Sequence, residues 1–501
     1  MTCIIRFLTT QMGQMLRPWN TTIAIDFGHE RAVYQQIADG IVTEIKKGRL
    51  RPGTPLPGSR VLAANIGVNR KTVVLAYEAL IAEGWLETTG KSGTFVSAEL
   101  PRFKDQPPVT GHRFEFNHYA IQPLQGPVMA NLIAFNDGLP DVRLAPMEEL
   151  SRAYKRIFQQ KARWCMLGYG HEKGEERLRA ALAAMLAHKR GMNVGTHNIC
   201  ITRGSQMALY LAAHTLIASG DTVAMECPGY LHAWQIFAKA GAKMVPIPVD
   251  DKGLVTDALE RLCKSRRIKA VYVTPHHQFP TAVSMKVERR LKLIELSNRY
   301  GFAIIEDDYD HEFHFEAKSM LPLASMEHAQ NVIYISSLSK LVAPAVRIGY
   351  ITGPAAFVDS LAQLRAIIDR QGDTIMELAV AELMEDGAIH RHAKRAFGIY
   401  AERREHMDQC LRAYLSRQAS YLKPEGGLAY WVTFNQPLNT EALQQKLLKR
   451  GVSVISTERF AFDGKPLNAL RLGYASLTPA ELEEGIRTIG AVVKKTGVSK
   501  A

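Results

Sequence analysis

Four runs of apolar residues limit what this chain can fold into more than any other feature: TVAMEC (222–227), AVYVTP (270–275), AIIEDD (303–308) and VIYISS (332–337). Each is continuous rather than alternating. Successive side chains of a strand point to opposite faces, so a strand with one wet face alternates apolar with polar residues. A continuous run demands cover on both faces. Helical stretches lie between the runs, which predicts a mostly parallel α/β sheet with helices on both sides. Such open sheets collect ligands at the carboxyl ends of their strands, so the residues just after each run become the first candidates for chemistry.

At 501 residues the chain is long enough for two or three domains. Six cysteines occur with no C-x-x-C pair and no cluster, which argues against a disulfide scaffold, against a zinc site and for a cytoplasmic protein. The N-terminus, MTCIIRFLTTQMGQMLRPWN, has a short apolar patch and no cleavage site; it reads as a disordered tail (1–24) rather than a signal peptide, with Met12 and Met15 open as starts. No apolar run reaches membrane-spanning length. The net charge of +13 suits a polyanionic partner, but it is spread along the chain and says nothing of fold. His276-His277 and His311-x-x-His314 suggest a metal at first sight. Neighbours on a strand diverge and no cysteine or carboxylate set follows at ligand spacing, so no metal is expected.

Residues 25–97 read as a compact unit. Val33, Ile37, Ile41 and Ile45 form one apolar stripe. GRLRPGTPLPGSR breaks the chain, a short helix follows over 59–66, and Gly67-Val68 turns. Asn69 is a good N-cap for a third helix with Val73, Tyr77 and Leu80 inward and Arg70, Lys71 and Thr72 in its exposed first turn. WLETTGKSGTFVS then reads as two short strands, a wing tipped by Lys91 and Ser92. A helix, a short turn and a helix with a basic N-terminus has the docking geometry of a helix-turn-helix in the major groove. The segment YQQIADGIVTEIKKGRLRPGTPLPGSRVLAANIGVNRKTVVLAYEALIAEGWLETTGKSGTFV closely resembles the GntR-type winged helix-turn-helix. The resemblance implies DNA contacts by Arg60, Arg70 and Thr72, with Lys91 and Ser92 from the wing. Asn69 and Lys71 stand where the family often has Ser and a polar residue, so they join the candidate DNA-binding set while base preference stays open.

A proline-bearing stretch, 98–131, reads as a linker, and 132–501 as the large domain. Pyridoxal 5′-phosphate (PLP) needs an amine for a Schiff base, a carboxylate beside the pyridine nitrogen, donors for its phosphate and a flat surface for its ring. SSLSKLVAPAVRIGY offers Lys340 just after a strand, with Ser337, Ser339 and Arg347 as phosphate donors. IIEDDYDHEF offers Asp307 for the pyridinium and Tyr309 for the ring's phenolic oxygen. ITRGSQMALYLAAHTL opens a helix on Gly204, Ser205 and Gln206, where amides and dipole suit an anion. ECPGY places Tyr230 as a stacking platform.

Together with NDGLPD, YGHEKGEERLRAAL, TPHHQFPTAVSM and ALRLGYA, these segments resemble fold-type I aminotransferases over roughly residues 135–494. The implied fold is an α/β PLP-dependent transferase domain with a smaller C-terminal α+β subdomain, behind an α+β winged head. The resemblance assigns Tyr169 to the cofactor phosphate of a neighbouring subunit and Arg471 to a substrate or effector carboxylate. Ala282 departs from the pattern by replacing a glycine in the turn beside the ring. A GntR-type head on such a body looks like the MocR/GabR family of PLP-dependent transcription regulators, and the EDDYD, HQFP and SSLSK wording is similar to that family. The expectation is therefore an operator-binding regulator that holds PLP as an internal aldimine on Lys340 and senses an amine, amino-acid or B6 effector. It would act as a homodimer, with exchange of heads between subunits left open and no membrane partner. The alternative is a working PLP-dependent aminotransferase carrying a DNA-binding or regulatory head.

Overall fold

The computed structural model describes residues 23–90, 93–101, 115, 132–159, 168–316 and 320–497. All but two residues of the expected tail, most of the expected linker, and the wing-tip residues Lys91 and Ser92 lie outside the described residues. The chain divides into two compact units, 1–120 and 121–501.

In the first unit α1 (Val33–Lys46), α2 (Ser59–Ile66) and α3 (Arg70–Ala82) precede a two-stranded ribbon, β1 (Leu86–Thr88) and β2 (Thr94–Val96). Ile37, Ile41 and Ile45 of α1 are buried as their spacing predicts, and Val33 is half-buried at the helix start. α2 stops at Gly67, whose φ of +70° supplies the left-handed C-cap. Asn69 caps α3, its side-chain oxygen accepting the Lys71 N–H at 2.9 Å. Val73, Tyr77 and Leu80 face the core, and the buried Tyr77 hydroxyl donates to the Pro57 carbonyl at 2.8 Å. The ribbon is antiparallel, with Leu86 opposite Val96 and Thr88 opposite Thr94.

The second unit is built on an eight-stranded sheet. Its strands are β4 (Ile199–Thr202), β5 (Thr222–Cys227), β6 (Lys243–Asp250), β7 (Gly253–Leu254), β8 (Ala270–Val273), β9 (Ala303–Asp308), β10 (Val332–Ser337) and β11 (Gly349–Thr352), in the spatial order β4-β11-β10-β9-β8-β5-β6-β7. β6, β5, β8, β9 and β10 pair in parallel; β11 runs antiparallel to both β10 and β4, and β7 antiparallel to β6. The four continuous apolar runs thus lie in five-strand parallel territory, and every residue of β10 is buried. A smaller α+β layer holds a three-stranded antiparallel sheet, β12 (Ala419–Tyr421), β13 (Ala429–Phe434) and β15 (Ala469–Gly473). Its remaining pair joins β14 (Val452–Val454) to β3 (Ile133–Phe135) in parallel. The expected C-terminal subdomain therefore takes one strand from the beginning of the unit, which sets Asp137 and Gly138 beside β15. Among the described residues no helix is long and apolar enough to cross a membrane.

Candidate functional site

Sheet register brings the predicted residues to one row. Thr202 lies opposite Gly349, and Gly349 opposite Ser337. Ser336 pairs with Asp308, and Val273 with Glu306. The carboxyl ends of β4, β10, β9 and β8 therefore share an edge with the start of β11. Lys340 emerges just beyond β10. Its ammonium sits 3.7 Å from an Asp310 carboxylate oxygen and 4.3 Å from the centre of the Tyr309 ring. Burial lowers its pKa, with Asp310 pulling the other way and Arg471 adding to the fall. The amine is thus held nearer to its neutral, nucleophilic form than a solvated lysine.

Asp307 lies 4% exposed near the end of β9. Its Oδ2 accepts the Tyr272 hydroxyl at 2.9 Å, while Oδ1 is buried with no hydrogen-bond partner among the described residues. Burial raises its pKa to about 7, with Asp308 and Asp310 adding and the Tyr272 bond opposing. Leaving a buried carboxyl oxygen unpaired costs about 1–3 kcal/mol, and a cationic ring N–H is the donor that would remove that cost.

The helix after β4, here α6 after α4 (Met147–Gln159) and α5 (Glu176–Arg190), runs Ser205–Leu216 from the N-cap Gly204. Gly204 has φ +79°, and a Cβ there would stand 2.8 Å from an Arg347 guanidinium nitrogen. A Cβ on Gly349 would come within 2.5 Å of the Gly204 backbone. These two glycines let β11 close on the N-terminus of α6, whose free amides face the same end as Ser337, Ser339 and Arg347. Ser337 and Ser339 share a 2.9 Å hydroxyl contact, and Arg347 donates to the Arg203 carbonyl at 3.0 Å. Gln206 reaches the Tyr230 hydroxyl at 3.4 Å, and Tyr230 meets Phe279 edge to face at 5.2 Å.

Other predicted residues point elsewhere. The Tyr309 hydroxyl donates to the His277 carbonyl at 2.8 Å. Arg471, 1% exposed on β15, donates to the Asp137 carbonyl at 3.0 Å and to the Pro280 carbonyl, and lies 4.6 Å over the Phe279 ring. Tyr169 is 80% exposed and stacks on Arg370, outside the cluster of its own chain. In the head, Arg60, Asn69, Arg70 and Lys71 are exposed and Thr72 half-exposed; Arg70 reaches Ser59 at 3.4 Å. Ala282 keeps the left-handed conformation of the glycine it replaces, at φ +60° and 4% exposure, held by its N–H on the Gln278 carbonyl at 2.7 Å. The departure costs backbone strain and leaves the turn intact.

Sequence reasoning missed Asp310, Tyr272 and Phe279. Asp310 pairs with both Lys340 and, at 2.7 Å, His277; its signal was a fourth acid in EDDYD. Tyr272 was a polar residue in an otherwise aliphatic run. The histidines also sort in a way that spacing hides. His276 and His277 diverge as expected, but each meets its own carboxylate: His277 meets Asp310, and His276 shares a buried cluster with Asp308 and His311.

Comparison with known proteins fits this geometry. Residues 133–489 match the family "Aminotransferase class I and II", and residues 33–96 the family "Bacterial regulatory proteins, gntR family". The HTH-type transcriptional regulator TauR of Rhodobacter capsulatus is 30% identical over 92% of this chain and 95% of its own length. The probable rhizopine catabolism regulatory protein MocR of Rhizobium meliloti is 29% identical over 93% and 95%. The chain belongs to the MocR-type regulators. In this MocR-type chain the body has the fold of the aminotransferase LysN of Thermus thermophilus, at TM-score 0.69 and 28% identity over 74% of this chain and 94% of that one. The multiple substrate aminotransferase of Thermococcus profundus gives 0.70 and 28%, over 74% and 93%. As a MocR-type regulator the protein binds DNA through a GntR head, and the cofactor of its aminotransferase-fold body is PLP. The residues present fit that group: an unpaired buried oxygen on Asp307, a glycine-lined helix N-terminus, and a lysine of lowered pKa beside them.

Proposed function

We propose that this DNA-binding transcription regulator senses a small amine, an amino acid or a B6 compound at Lys340, and that the exchange alters how its heads meet the operator. The carrying observation is the pairing of Asp307 Oδ1, buried without a donor, with the depressed amine of Lys340. When bound, PLP supplies an aldehyde that exchanges one amine for another. Lys340 is the resident amine. Asp307 holds a proton at the ring nitrogen, and Tyr272 fixes the carboxyl so that Oδ1 faces inward. Gly204, Ser205, Gln206, Ser337, Ser339 and Arg347 form the phosphate seat, and Tyr230 flanks the ring. Arg471 takes the effector's carboxylate by exchanging one of its backbone carbonyl partners for it. Tyr309 orients the Lys340 end of the pocket.

Arg60, Asn69, Arg70, Lys71 and Thr72 form the operator-reading face, with Lys91 and Ser92 at the wing tip. The assembly is a cytoplasmic homodimer in which Tyr169 serves the partner's phosphate seat; its 80% exposure in one chain supports this. A ligand moves such an equilibrium only by binding its two states unequally. The test is operator binding by the PLP-loaded chain against a panel of amines and amino acids. At least one should shift affinity in the parent chain and none in Arg471→Ala if the effector carries a carboxylate. A second reading, an aminotransferase with a regulatory head, is favoured by the intact set Lys340, Asp307, Tyr309, Arg347 and Arg471. Sustained turnover with a keto-acid acceptor, together with no sequence-specific DNA binding, would replace the first reading by the second.

A further inference from the structure

Asp308 neighbours Asp307 on β9, so its side chain points to the opposite face of the strand, where a second buried cluster forms. His276 follows β8, Asp308 ends β9, and His311 sits in the turn after it. All three are more than nine-tenths buried, at 3%, 1% and 8% exposure. Three ligand atoms, one from each, lie within 4.8 Å of one another, and the two imidazole centres are 4.5 Å apart. Neither nitrogen of His276 has a hydrogen-bond partner among the described residues, nor does Asp308 Oδ1. A buried imidazole with both nitrogens unmatched is rare, because each unmatched polar atom forfeits its hydration. The rest of the cluster is ordered: Asp308 Oδ2 accepts His311 Nδ1 at 2.8 Å and the Tyr334 hydroxyl at 2.6 Å.

We infer that His276, Asp308 and His311 form a binding site for a divalent transition cation of the zinc class. Two imidazoles and one carboxylate are the donor set such a cation takes, with a water completing a tetrahedron. Bonds of about 2.0–2.1 Å put tetrahedral ligands about 3.4 Å apart, so small side-chain rotations close the observed spacing. The nearby cations do not block it. Arg190 is separated from Asp308 by the Tyr334 hydroxyl and is paired with Glu312. Arg290 is tied to the carbonyls of Met285, Pro275 and Leu321. The ion would pin together the loop after β8 and both sides of the EDDYDH turn, the segments that carry Phe279, Asp307 and Tyr309. It would therefore act as a staple for the effector pocket and not as a reactant.

The test uses the full chain loaded with PLP, stripped with a chelator, and titrated with Co²⁺ and then Zn²⁺. One tight equivalent per chain is expected, with the intense visible absorption of a tetrahedral Co²⁺ site. His276→Gln and His311→Gln, each removing a direct ligand, should weaken it by at least the roughly 10–100-fold that loss of an outer-shell partner costs, while the exposed His171→Gln leaves it unchanged. Equal affinity in parent and His276→Gln, or no tight equivalent in the parent, overturns the assignment. Should both variants lose the bound-cofactor absorbance and so fail to fold, X-ray absorption of the Zn²⁺-loaded parent decides. Two imidazole nitrogens support the site; an all-oxygen shell overturns it.

Discussion

The two units keep their working residues in opposite environments. In the head, the DNA candidates Arg60, Asn69, Arg70 and Lys71 stand in solvent on the first turns of α2 and α3, above a core that does not include them. In the body, Asp307, Asp310, Tyr272 and Arg471 are each buried, and the packing of strands from two sheets brings them together across about 200 residues of chain. A surface reader meets a charged polymer and loses little by staying wet. A cofactor seat must lower one amine and raise one carboxyl, and burial does both. The contrast predicts that body substitutions change chemistry and pH response, whereas head substitutions change DNA affinity or head stability and leave the cofactor's chemistry untouched.

The largest effect should come from Lys340→Ala. It should abolish the visible absorbance of bound PLP while the head still binds operator DNA; retained absorbance would mean another amine holds the cofactor. Asp307→Asn should weaken PLP binding and change the pH dependence of the cofactor-free chain. Because burial raises this carboxyl to about 7 from 3.8, the folded chain keeps a proton that the unfolded chain has lost between those values. Stability from this group is therefore complete below pH 3.8 and falls as pH rises towards 7. The cofactor-free variant should be more stable than its parent at pH 8, by about 1–3 kcal/mol, and no different at pH 3.5; chemical denaturation at both pH values checks this.

Arg70→Ala should weaken operator binding by about 1–3 kcal/mol without moving the PLP spectrum; an unchanged titration would place the reading face elsewhere. Asn69→Ala removes the α3 cap and should lower the head's stability by about 1 kcal/mol, measured by thermal melting. Ala282→Gly should do the reverse in the body, relieving the left-handed alanine for a gain of about 0.5–1 kcal/mol.

The same contrast explains what the sequence made legible. Head helices, cap and turn follow from residues within four positions of each other, so α2 and the Asn69 cap could be read directly. The body's buried strands were legible because double-sided cover forces continuous apolar runs. Lys340 and Asp307 were legible because one lies three residues past such a run and the other is next to last in one, and Gly204 because a Gly-Ser-Gln turn opens a helix. The partners of Arg471 were not: they are backbone carbonyls of Asp137 and Pro280, and a carbonyl leaves no mark in the residue code. The His276–Asp308–His311 grouping was hidden for a related reason. Spacing compares neighbours along the chain, whereas parallel β8 and β9 bring distant turns side by side.

The mutual fit of Gly204 and Gly349 has a consequence for descent. A side chain at Gly349 would strike the Gly204 backbone, and at Gly204 the φ of +79° strains any side chain even where the Arg347 guanidinium can move aside. These two positions are therefore closed to ordinary substitution. On the proposed sensing role, relatives with different effectors should keep these two glycines and diverge at the opposite rim, around Asp137, Phe279 and Arg471.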